Sequence, residues 1–530
     1  MVLIRPLYET KHYDPEIQEA LGIESLAAYL RAYGHHVLLL DPLQSGQSED
    51  RTIKRAVSFA PQLVGFSIMS GGDLSSTQRM MAGIKMGLPQ IQWAAGGNLV
   101  STEPEYAAAS LPAGTACLRY EGEIPLLSLL DAISSGRSLD TVPSMIMKMA
   151  NGVLMRTENA PVIENLDALP FPVRDHFQRL DRRALTANIQ GSRGCCGSCR
   201  YCCAPGWPRA VGSRWRGHSP YYLADEIQSL AAQTGVRFFN FIDDDFLGPD
   251  FMAPSRASQF RDEIEKRGLR IAFGIQARPS TLTPEVIQCL SEAGLCHVFL
   301  GIESNDRQVL ARWGKSHASL DIEAVIVNLR SFGIEVQAGY IPFHKYATPA
   351  SIKRQAQYLD GLGLLNYRTA TNRMLLLPGS VMHREVIGIS NVDDLISGPL
   401  LEDLDENVNI LYNGLIKILE PLRVVWVFAA TVLPTVQAQA RLARNQEINR
   451  AYKHREALLE VLDNLNRYIK EVLFSLLGQM EMGGRLLLNE DPLYEKSLEL
   501  AMHGTKALWQ IGLLESPEVL HKAILKDCRI

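Results

Sequence analysis

Short apolar stretches alternate with helical segments twice along this chain of 530 residues, and this alternation limits the fold more than any other feature. In residues 1–140 the apolar stretches lie at 2–7, 37–40, 63–69, 91–95 and 116–119, and helical periodicity is found at 17–33, 75–87 and about 124–134. The pattern predicts an α/β domain with a doubly wound parallel sheet. Ligands of such sheets bind at the carboxyl ends of the strands. Those ends carry Asp41, Ser67, Ser70, Gly96 and Gly97.

A second alternating run occupies residues 186–385, after a connector at 141–185 that holds two short predicted strands. Strands are predicted in this run at 186–191, 237–242, 271–275, 297–302, 334–340 and 369–377. Six such units predict a partial (β/α)6 barrel. Residues 386–530 predict a mainly helical C-terminal domain. We expect it to lie over the barrel mouth, with a helical buttress or a dimer surface as the alternatives.

The composition is that of a globular protein. Apolar residues make up 46% and charged residues 21%, which excludes extended disorder and coiled coil. The 53 basic and 58 acidic side chains give a net charge of −5, which argues against a general nucleic-acid binder. The first residues lack the pattern of a secretory signal. The longest apolar run, 424–433, is shorter than the roughly 20 residues of a membrane span. We therefore expect a cytoplasmic protein.

Five of the nine cysteines lie between positions 195 and 203, directly after the first predicted barrel strand. Cys195, Cys199 and Cys202 have the spacing C-x3-C-x2-C. Three thiolates can hold three irons of a [4Fe–4S] cluster and leave the fourth iron open to another ligand. Structural zinc, which prefers four ligands, and a disulfide or thiol relay are the alternatives. Cys196 and Cys203 offer other registers, but we expect them to be structural neighbours.

This segment resembles the radical S-adenosylmethionine (SAM) superfamily, in which the same motif, with an aromatic residue such as Tyr201 before its last cysteine, begins a β/α barrel. The resemblance implies that the open iron chelates the amino and carboxylate groups of SAM. It also implies that an electron from the cluster cleaves SAM to a 5′-deoxyadenosyl radical.

Polar residues at the ends of the next three predicted strands match the family pattern. Each alone is also explained as a helix cap, but together they surround one barrel mouth. The resemblance implies that SAM is contacted by Tyr201, Asp244, Gln276, Arg278, Gly301 and Glu303.

Arginines are concentrated around the cysteines, with no lysine and no acidic residue among them. They are Arg182, Arg183, Arg193, Arg200, Arg209, Arg214 and Arg216. A nucleic-acid surface is one interpretation. We favour a role in offsetting the negative cluster and the SAM carboxylate, because arginine makes bidentate contacts to carboxylates.

The first predicted domain contains the string Asp41-Pro42-Leu43-Gln44-Ser45-Gly46, which resembles the D-x-H-x-x-G motif of cobalamin-binding domains. Its companion signals follow in the family's order: a serine after the next strand, a glycine pair, and the string RYEGE at 119–123. The resemblance implies a Rossmann-like cobalamin-binding domain with contacts from Asp41, Leu43, Gly46, Ser67, Ser70, Gly96, Gly97, Glu121 and Gly122.

Leu43 stands where the motif has the histidine that coordinates cobalt. The resemblance therefore implies base-off, His-off cobalamin, and a Leu43→His change should alter the cobalt coordination. The alternative is a domain that has lost cobalamin. A plain nucleotide site is disfavoured, because no G-x-G-x-x-G follows the first strand.

Residues 1–380 together resemble the class B radical SAM methyltransferases. The resemblance implies methylation, from methylcobalamin, of an unactivated carbon in a small-molecule or peptide-like substrate, and a reducing partner such as flavodoxin or ferredoxin. Ring contraction or oxidative cyclisation without methyl transfer is the alternative, and a non-catalytic iron–sulfur or zinc adaptor is a third. Tyr340, His344 and Arg373, near late strand ends, are candidate substrate contacts.

Overall fold

The computed structural model describes residues 1–7, 19–175, 186–204, 214–315, 320–387, 400–443, 446–481 and 492–513. They form two α/β domains, each built on a parallel sheet, and a C-terminal set of helices. Three members of the arginine group lie outside the described residues: Arg182, Arg183 and Arg209. The predicted start of the first helix at 17 and the end of the connector also lie outside them.

The first sheet has seven strands: β1 (Val2–Ile4), β2 (Leu38–Leu40), β3 (Leu63–Ser67), β4 (Gln92–Gly96), β5 (Ala116–Leu118), β6 (Met145–Lys148) and β7 (Leu154–Arg156). Their order across the sheet is β2-β1-β3-β4-β5-β6-β7. The first five strands are parallel, as the alternation predicted. The chain reverses its direction across the sheet between β1 and β3, and open α/β sheets bind ligands at such a switch point.

Seven helices cover the two faces of this sheet: α1 (Leu21–Ala32), α2 (Pro42–Ser45), α3 (Glu49–Ser58), α4 (Leu74–Gly87), α5 (Asn98–Thr102), α6 (Pro104–Ser110) and α7 (Glu123–Ser135). Buried apolar residues form one core on each face, which explains why β1 and β3 are apolar throughout rather than alternating. β6 and β7 join β5 in antiparallel pairing. The sheet therefore continues to residue 156, past the domain boundary predicted at 140.

The second domain contains a five-stranded parallel sheet made of β8 (Thr186–Ile189), β11 (Phe238–Phe241), β12 (Ala272–Ala277), β13 (Leu295–Glu303) and β14 (Glu335–Tyr340). The strand order is β14-β13-β12-β11-β8. A short antiparallel pair, β9 (Ser192–Gly194) with β10 (Trp215–Gly217), flanks the segment that carries the cysteines. The helices of this domain are α8 (Pro220–Thr234), α9 (Ala253–Lys266), α10 (Pro284–Ala293), α11 (Arg307–Arg312), α12 (Ile322–Ser331), α13 (Pro349–Gly361), α14 (Tyr367–Thr371) and α15 (Val381–Ile387).

The sixth predicted strand, 369–377, is mostly absent as a strand. Asn366 accepts a hydrogen bond from the backbone N–H of Thr369 in a capping box and starts helix α14 there. The chain then makes an isolated bridge between Phe343 and Arg373. It continues as the two-residue β15 (Leu375–Leu376), which pairs antiparallel with β16 (Leu400–Leu401). The local cap thus overrides the apolar pattern on which the strand prediction was based.

Three helices follow: α16 (Glu406–Leu442), α17 (Gln446–Glu481) and α18 (Pro492–Gln510). The last turns of α16 close the base of the barrel, where Arg441 donates to the Ser291 carbonyl at 2.7 Å and Ala438 packs beneath the first residues of β11 and β12. The expected position over the mouth is wrong for the described helices, which lie beside and beneath the sheet. The apolar run 424–433 is part of α16. None of the described helices has both the length and the apolar character needed to cross a membrane.

Candidate active site

Two cavities lie at the carboxyl ends of the two sheets. The cysteine cavity, of about 180 Å³, is bounded by the cysteine segment and the ends of β11, β12 and β13. The glycine cavity, of about 360 Å³, is bounded by the ends of β1, β3, β4 and β5 and by residues 190–194 of the barrel. Asp244 lines both cavities. The two cavities therefore adjoin at one side chain.

Three of the five clustered cysteines, Cys195, Cys199 and Cys202, line the cysteine cavity, whereas Cys196 and Cys203 do not. The eight described cysteines are all free thiols, so no disulfide joins any two of them. Burial is the main cause that raises the pKa of Cys195 to about 12. A thiolate at this depth therefore requires a bound cation to balance its charge.

The cysteine segment is fixed from its outer side by the chain that follows α11. The backbone N–H of Arg200 donates to the Trp313 carbonyl at 2.8 Å, and the Ser198 hydroxyl donates to the Gly314 carbonyl at 3.0 Å. Tyr201 packs edge-on against Trp313, with 5.6 Å between ring centroids. These contacts orient the segment while the Cys195, Cys199 and Cys202 thiols face the cavity.

Three consecutive aspartates follow β11 and have different environments. Asp243 is buried and accepts hydrogen bonds from the Gly191 backbone and the Ser192 hydroxyl, which fixes the start of the cysteine segment. Asp245 is buried and pairs with Arg278 at 2.9 Å. Asp244, between them, makes no side-chain hydrogen bond to the described residues and faces the cavities. Burial, and then the charge of Asp245, raise the pKa of Asp244.

The opposite wall of the cysteine cavity carries a charged pair. Glu303 forms an ion pair with Lys315 at 3.1 Å, and both line the cavity together with Gln276, Arg278 and Gly301. Glu303 has φ of 66°, a left-handed conformation that is rare outside glycine, at a register shift in β13. Strained backbone of this kind concentrates at functional sites. All the SAM contacts predicted from sequence therefore line one cavity, and Lys315 is a residue that no motif indicated.

The floor of the glycine cavity is largely backbone. Gly96, Gly97 and Gly122 line it, with Ser67 and Glu121. Gly97 has φ of 100°, and a Cβ there would meet the Ile68 carbonyl oxygen at 2.5 Å, so only glycine fits. The Ser67 hydroxyl has one partner among the described residues, the Met69 sulfur at 3.9 Å, which leaves it available to a ligand.

Four predicted cobalamin residues do not line the glycine cavity. Asp41 pairs with Arg5 at 2.9 Å and caps α2, and Gly46 ends that helix in a left-handed conformation. Leu43 lies on α2 and is half-buried. Ser70 caps a short 3₁₀ turn through Asp73. The local roles of Asp41, Gly46 and Ser70 are helix and turn capping.

An ion-pair network joins the two domains beside the glycine cavity. Glu121 pairs with Arg216 and, at 3.5 Å, with Arg193, which also pairs with Glu123 at 2.6 Å. Burial alone would raise the pKa of Glu121, but the two guanidinium groups outweigh it and lower the pKa. Arg193 and Arg216 thus neutralise carboxylates of the first domain. In the structure both arginines therefore pair with protein carboxylates, and do not offset the charge of the cluster and the SAM carboxylate as expected.

The three predicted substrate residues lie away from both cavities. The Tyr340 hydroxyl donates to Asn305 at 3.0 Å, and His344 is buried against Trp313. Arg373 donates to the Glu402 carbonyl at 2.7 Å. None of the described residues after 385 lines either cavity.

Two family models match the chain, one for each of the domains that carry the cavities. The B12 binding domain matches residues 15–130. The Radical SAM superfamily matches residues 189–356. The chain belongs to the cobalamin-dependent radical SAM enzymes.

The relatives of this cobalamin-dependent radical SAM enzyme carry the names of different reactions. It is 27% identical over 326 residues to an uncharacterized methyltransferase of Pyrococcus horikoshii, a match that covers 61% of this chain and 68% of the relative. It is 25% identical over 318 residues to the anaerobic magnesium-protoporphyrin IX monomethyl ester cyclase of Synechocystis sp., which covers 58% of this chain and 61% of the relative.

A solved structure has the same fold. OxsB, a cobalamin-dependent S-adenosylmethionine radical enzyme with aqua-cobalamin bound, superposes with a TM-score of 0.73 at 18% identity. The match covers 99% of this chain and 83% of that chain, so the likeness extends through the C-terminal helices.

The cofactors of this radical SAM enzyme are a [4Fe–4S] cluster, SAM and cobalamin, and the cavities fit them. The described residues form no group that would hold a single metal ion. Thiols that bind separate irons of one cluster stand farther apart than thiols around one ion, so three cavity-lining cysteines suit the cluster and argue against zinc. The larger cavity, with its glycine floor and available serine hydroxyl, suits cobalamin.

Proposed function

We propose that this enzyme transfers a methyl group to an unactivated carbon of a small-molecule or peptide-like substrate. The observation that carries the proposal is the common wall of the two cavities at Asp244. A substrate carbon held at this junction would be within reach of both cofactors, which is the arrangement that a methyl transfer requires.

Within the proposal, Cys195, Cys199 and Cys202 bind three irons of the cluster. Gln276 and the Glu303–Lys315 pair orient SAM against the open iron. When bound, the cluster and SAM supply radical chemistry and cobalamin supplies the methyl group. The protein binds the cofactors, orients them and excludes water from the junction.

Asp244 has two roles in this proposal. Its carboxylate is accessible from both cavities, and it has no hydrogen-bond donor among the described side chains. A carboxylate in that position stabilises a cationic group such as the SAM ammonium. Because burial raises the pKa of Asp244, a bound cation also holds this carboxyl in its ionised form.

The proposal includes base-off, His-off cobalamin. No histidine is among the described residues that line the glycine cavity. Among the described residues, no imidazole thus faces the proposed cobalamin site, which supports the His-off state.

The test uses reconstituted holoenzyme, a chemical reductant and a small-molecule extract, with SAM that carries a trideuterated methyl group. Methyl transfer predicts a product heavier than its precursor by one methyl-for-hydrogen replacement, with the deuterium retained. A Cys199→Ala variant loaded with cobalamin serves as the control and should give no such product.

A second candidate function is a radical rearrangement or cyclisation without methyl transfer, which the cyclase among the relatives favours. In the same experiment it predicts 5′-deoxyadenosine together with an unlabelled product. That outcome would overturn methyl transfer while leaving both cofactor sites intact.

A further inference from the structure

A third cavity, of about 160 Å³, lies on the outer side of the cysteine segment. We define it as the cationic recess, lined by Arg200, Arg312, Trp313, Lys345, Tyr346 and Met382, and also by two carboxylates. It shares no lining residue with the cysteine cavity. We propose that the cationic recess is the docking site for a small acidic flavoprotein that reduces the cluster.

The first support is that only a thin wall separates the cationic recess from the cysteine cavity. Cys199 and Tyr201 line the cysteine cavity, and Arg200, between them, lines the recess. Trp313 lines the recess, and the next two residues, Gly314 and Lys315, line the cysteine cavity. Successive Cα atoms lie about 3.8 Å apart, so the recess and the cysteine cavity are separated by single backbone segments.

The second support is charge. Arg200 pairs with the exposed Glu385, and Lys345 lies 3.7 Å from Glu402. Arg312 is exposed and forms no ion pair with the described residues. The recess thus has three cations against two carboxylates on a chain whose net charge is −5. A positive patch on an acidic protein attracts an acidic partner and speeds the encounter.

The third support is an exposed aromatic ring, which favours a flavin carrier over other electron carriers. Tyr346 is 39% exposed. The Arg312 guanidinium lies 4.3 Å from its ring centroid, and the Lys345 ammonium lies at 5.1 Å. The two cations lie over the face of the ring and hold it in place, and its exposed edge provides a contact for the rim of a flavin within an acidic surface.

The reaction at this site is the transfer of one electron. The reduced flavin loses one electron, the cluster gains it, and no bond is formed or broken. The opposite side of the cysteine cavity adjoins the glycine cavity, which cobalamin occupies in the holoenzyme. The recess is therefore the approach that leaves both cofactors in place.

This inference rests on the proposed cluster ligands but not on methyl transfer. The probe is photoreduced flavodoxin, mixed with oxidised holoenzyme in a stopped-flow instrument, and the readout is bleaching of the cluster absorbance. We expect Arg312→Glu to lower the second-order rate constant about tenfold at low salt, with a difference that shrinks as salt rises. Arg312→Lys should keep the wild-type rate constant.

Two controls separate the possible failures. Lys85→Glu makes the same charge change on the exposed surface of α4 and should leave the rate constant unchanged. Dithionite should bleach the cluster of Arg312→Glu and wild type equally, since this small reductant needs no docking site. If dithionite bleaches neither, the cluster ligands are wrong. If dithionite bleaches both and flavodoxin reduces them at equal rates, the docking proposal is wrong. It is also wrong if reduced ferredoxin, mixed with the enzyme in the same way, is slowed by Arg312→Glu while flavodoxin is not.

Discussion

The cysteine cavity and the glycine cavity solve the problem of binding a cofactor in different ways. The cysteine cavity is defined by side chains: three thiols, an ion pair, an amide and a carboxylate. The glycine cavity is defined mainly by backbone that glycines leave accessible at the ends of four strands. The cysteine cavity should bind its cofactors through reactive and charged side chains, and the glycine cavity through the shape of its backbone. Single substitutions should therefore abolish cofactor binding for different reasons in the two cavities.

The largest expected effect is in the cysteine cavity. Cys195→Ala, Cys199→Ala and Cys202→Ala should each abolish the iron–sulfur absorbance after anaerobic reconstitution, because each removes a proposed iron ligand. Cobalamin binding should persist in all three variants.

Cys196→Ala and Cys203→Ala are the matched controls, since their sulfurs do not line the cavity. Both should retain the cluster. Loss of iron from either control would show that the ligand register is wrong.

The next largest effect is in the glycine cavity. Gly97→Ala should abolish cobalamin binding and keep the cluster, because the new Cβ would meet the Ile68 carbonyl oxygen at 2.5 Å and distort the floor. Bound cobalt and iron, counted on the same sample, measure both.

Gly114→Ala is the control for backbone strain. Gly114 has φ of 85°, but a Cβ there meets nothing within 4 Å. It should cost about 1–2 kcal/mol of stability for its left-handed conformation and leave cobalamin bound. Equal loss of cobalamin from both variants would contradict the role assigned to the floor.

A smaller effect concerns the contact between the domains. Arg174 is buried against three carboxylates, at 3.1 Å from Glu19, 3.5 Å from Glu24 and 3.4 Å from Glu226. Burial is the main cause that raises the pKa of Glu226 to about 7. A carboxyl whose pKa is raised on folding contributes stability at low pH that is lost as pH rises through the folded pKa.

The wild type should therefore lose up to about 3 kcal/mol of stability between about pH 4.5 and pH 7. Glu226→Gln should flatten this part of the profile in denaturant unfolding at several pH values. Glu265→Gln, on an exposed position of α9, should keep the wild-type profile. A slope that survives Glu226→Gln would assign the titration to another group.

The smallest expected effect is at Leu43. Because Leu43 does not line the glycine cavity, Leu43→His should leave the electron paramagnetic resonance of bound Co(II) cobalamin unchanged. This reverses the expectation drawn from the motif alone. A new nitrogen coupling would show that residue 43 reaches the cobalt.

The same contrast explains what the sequence could predict. Polar groups at strand ends have recognisable types and spacings, so the resemblance to the radical SAM superfamily was enough to predict that Cys195, Asp244, Gln276 and Glu303 belong to one site. A cavity shaped by backbone is harder to predict. Asp41 matches the cobalamin motif and Ser70 was an implied cobalamin contact, yet they cap a helix and a turn outside the cavity. The prediction of nine cobalamin contacts therefore included residues that the structure separates.

Features that depend on contacts between residues far apart in the chain could not be predicted from the sequence. The ion pairs of Glu121 with Arg193 and Arg216 join residues more than 70 positions apart, and no local pattern indicates them. The predicted sixth strand failed because Asn366 nucleates a helix. The C-terminal helices were predicted, but their place under the barrel depends on contacts such as Arg441 with Ser291.

In the proposed arrangement the two cofactor sites adjoin at Asp244. Electron paramagnetic resonance of holoenzyme with a reduced cluster and Co(II) cobalamin tests it directly, because two unpaired spins in adjoining cavities relax and split each other. We expect magnetic coupling between the two signals, which disappears in Cys199→Ala as the cluster is lost. Two full-strength signals with no coupling would contradict it.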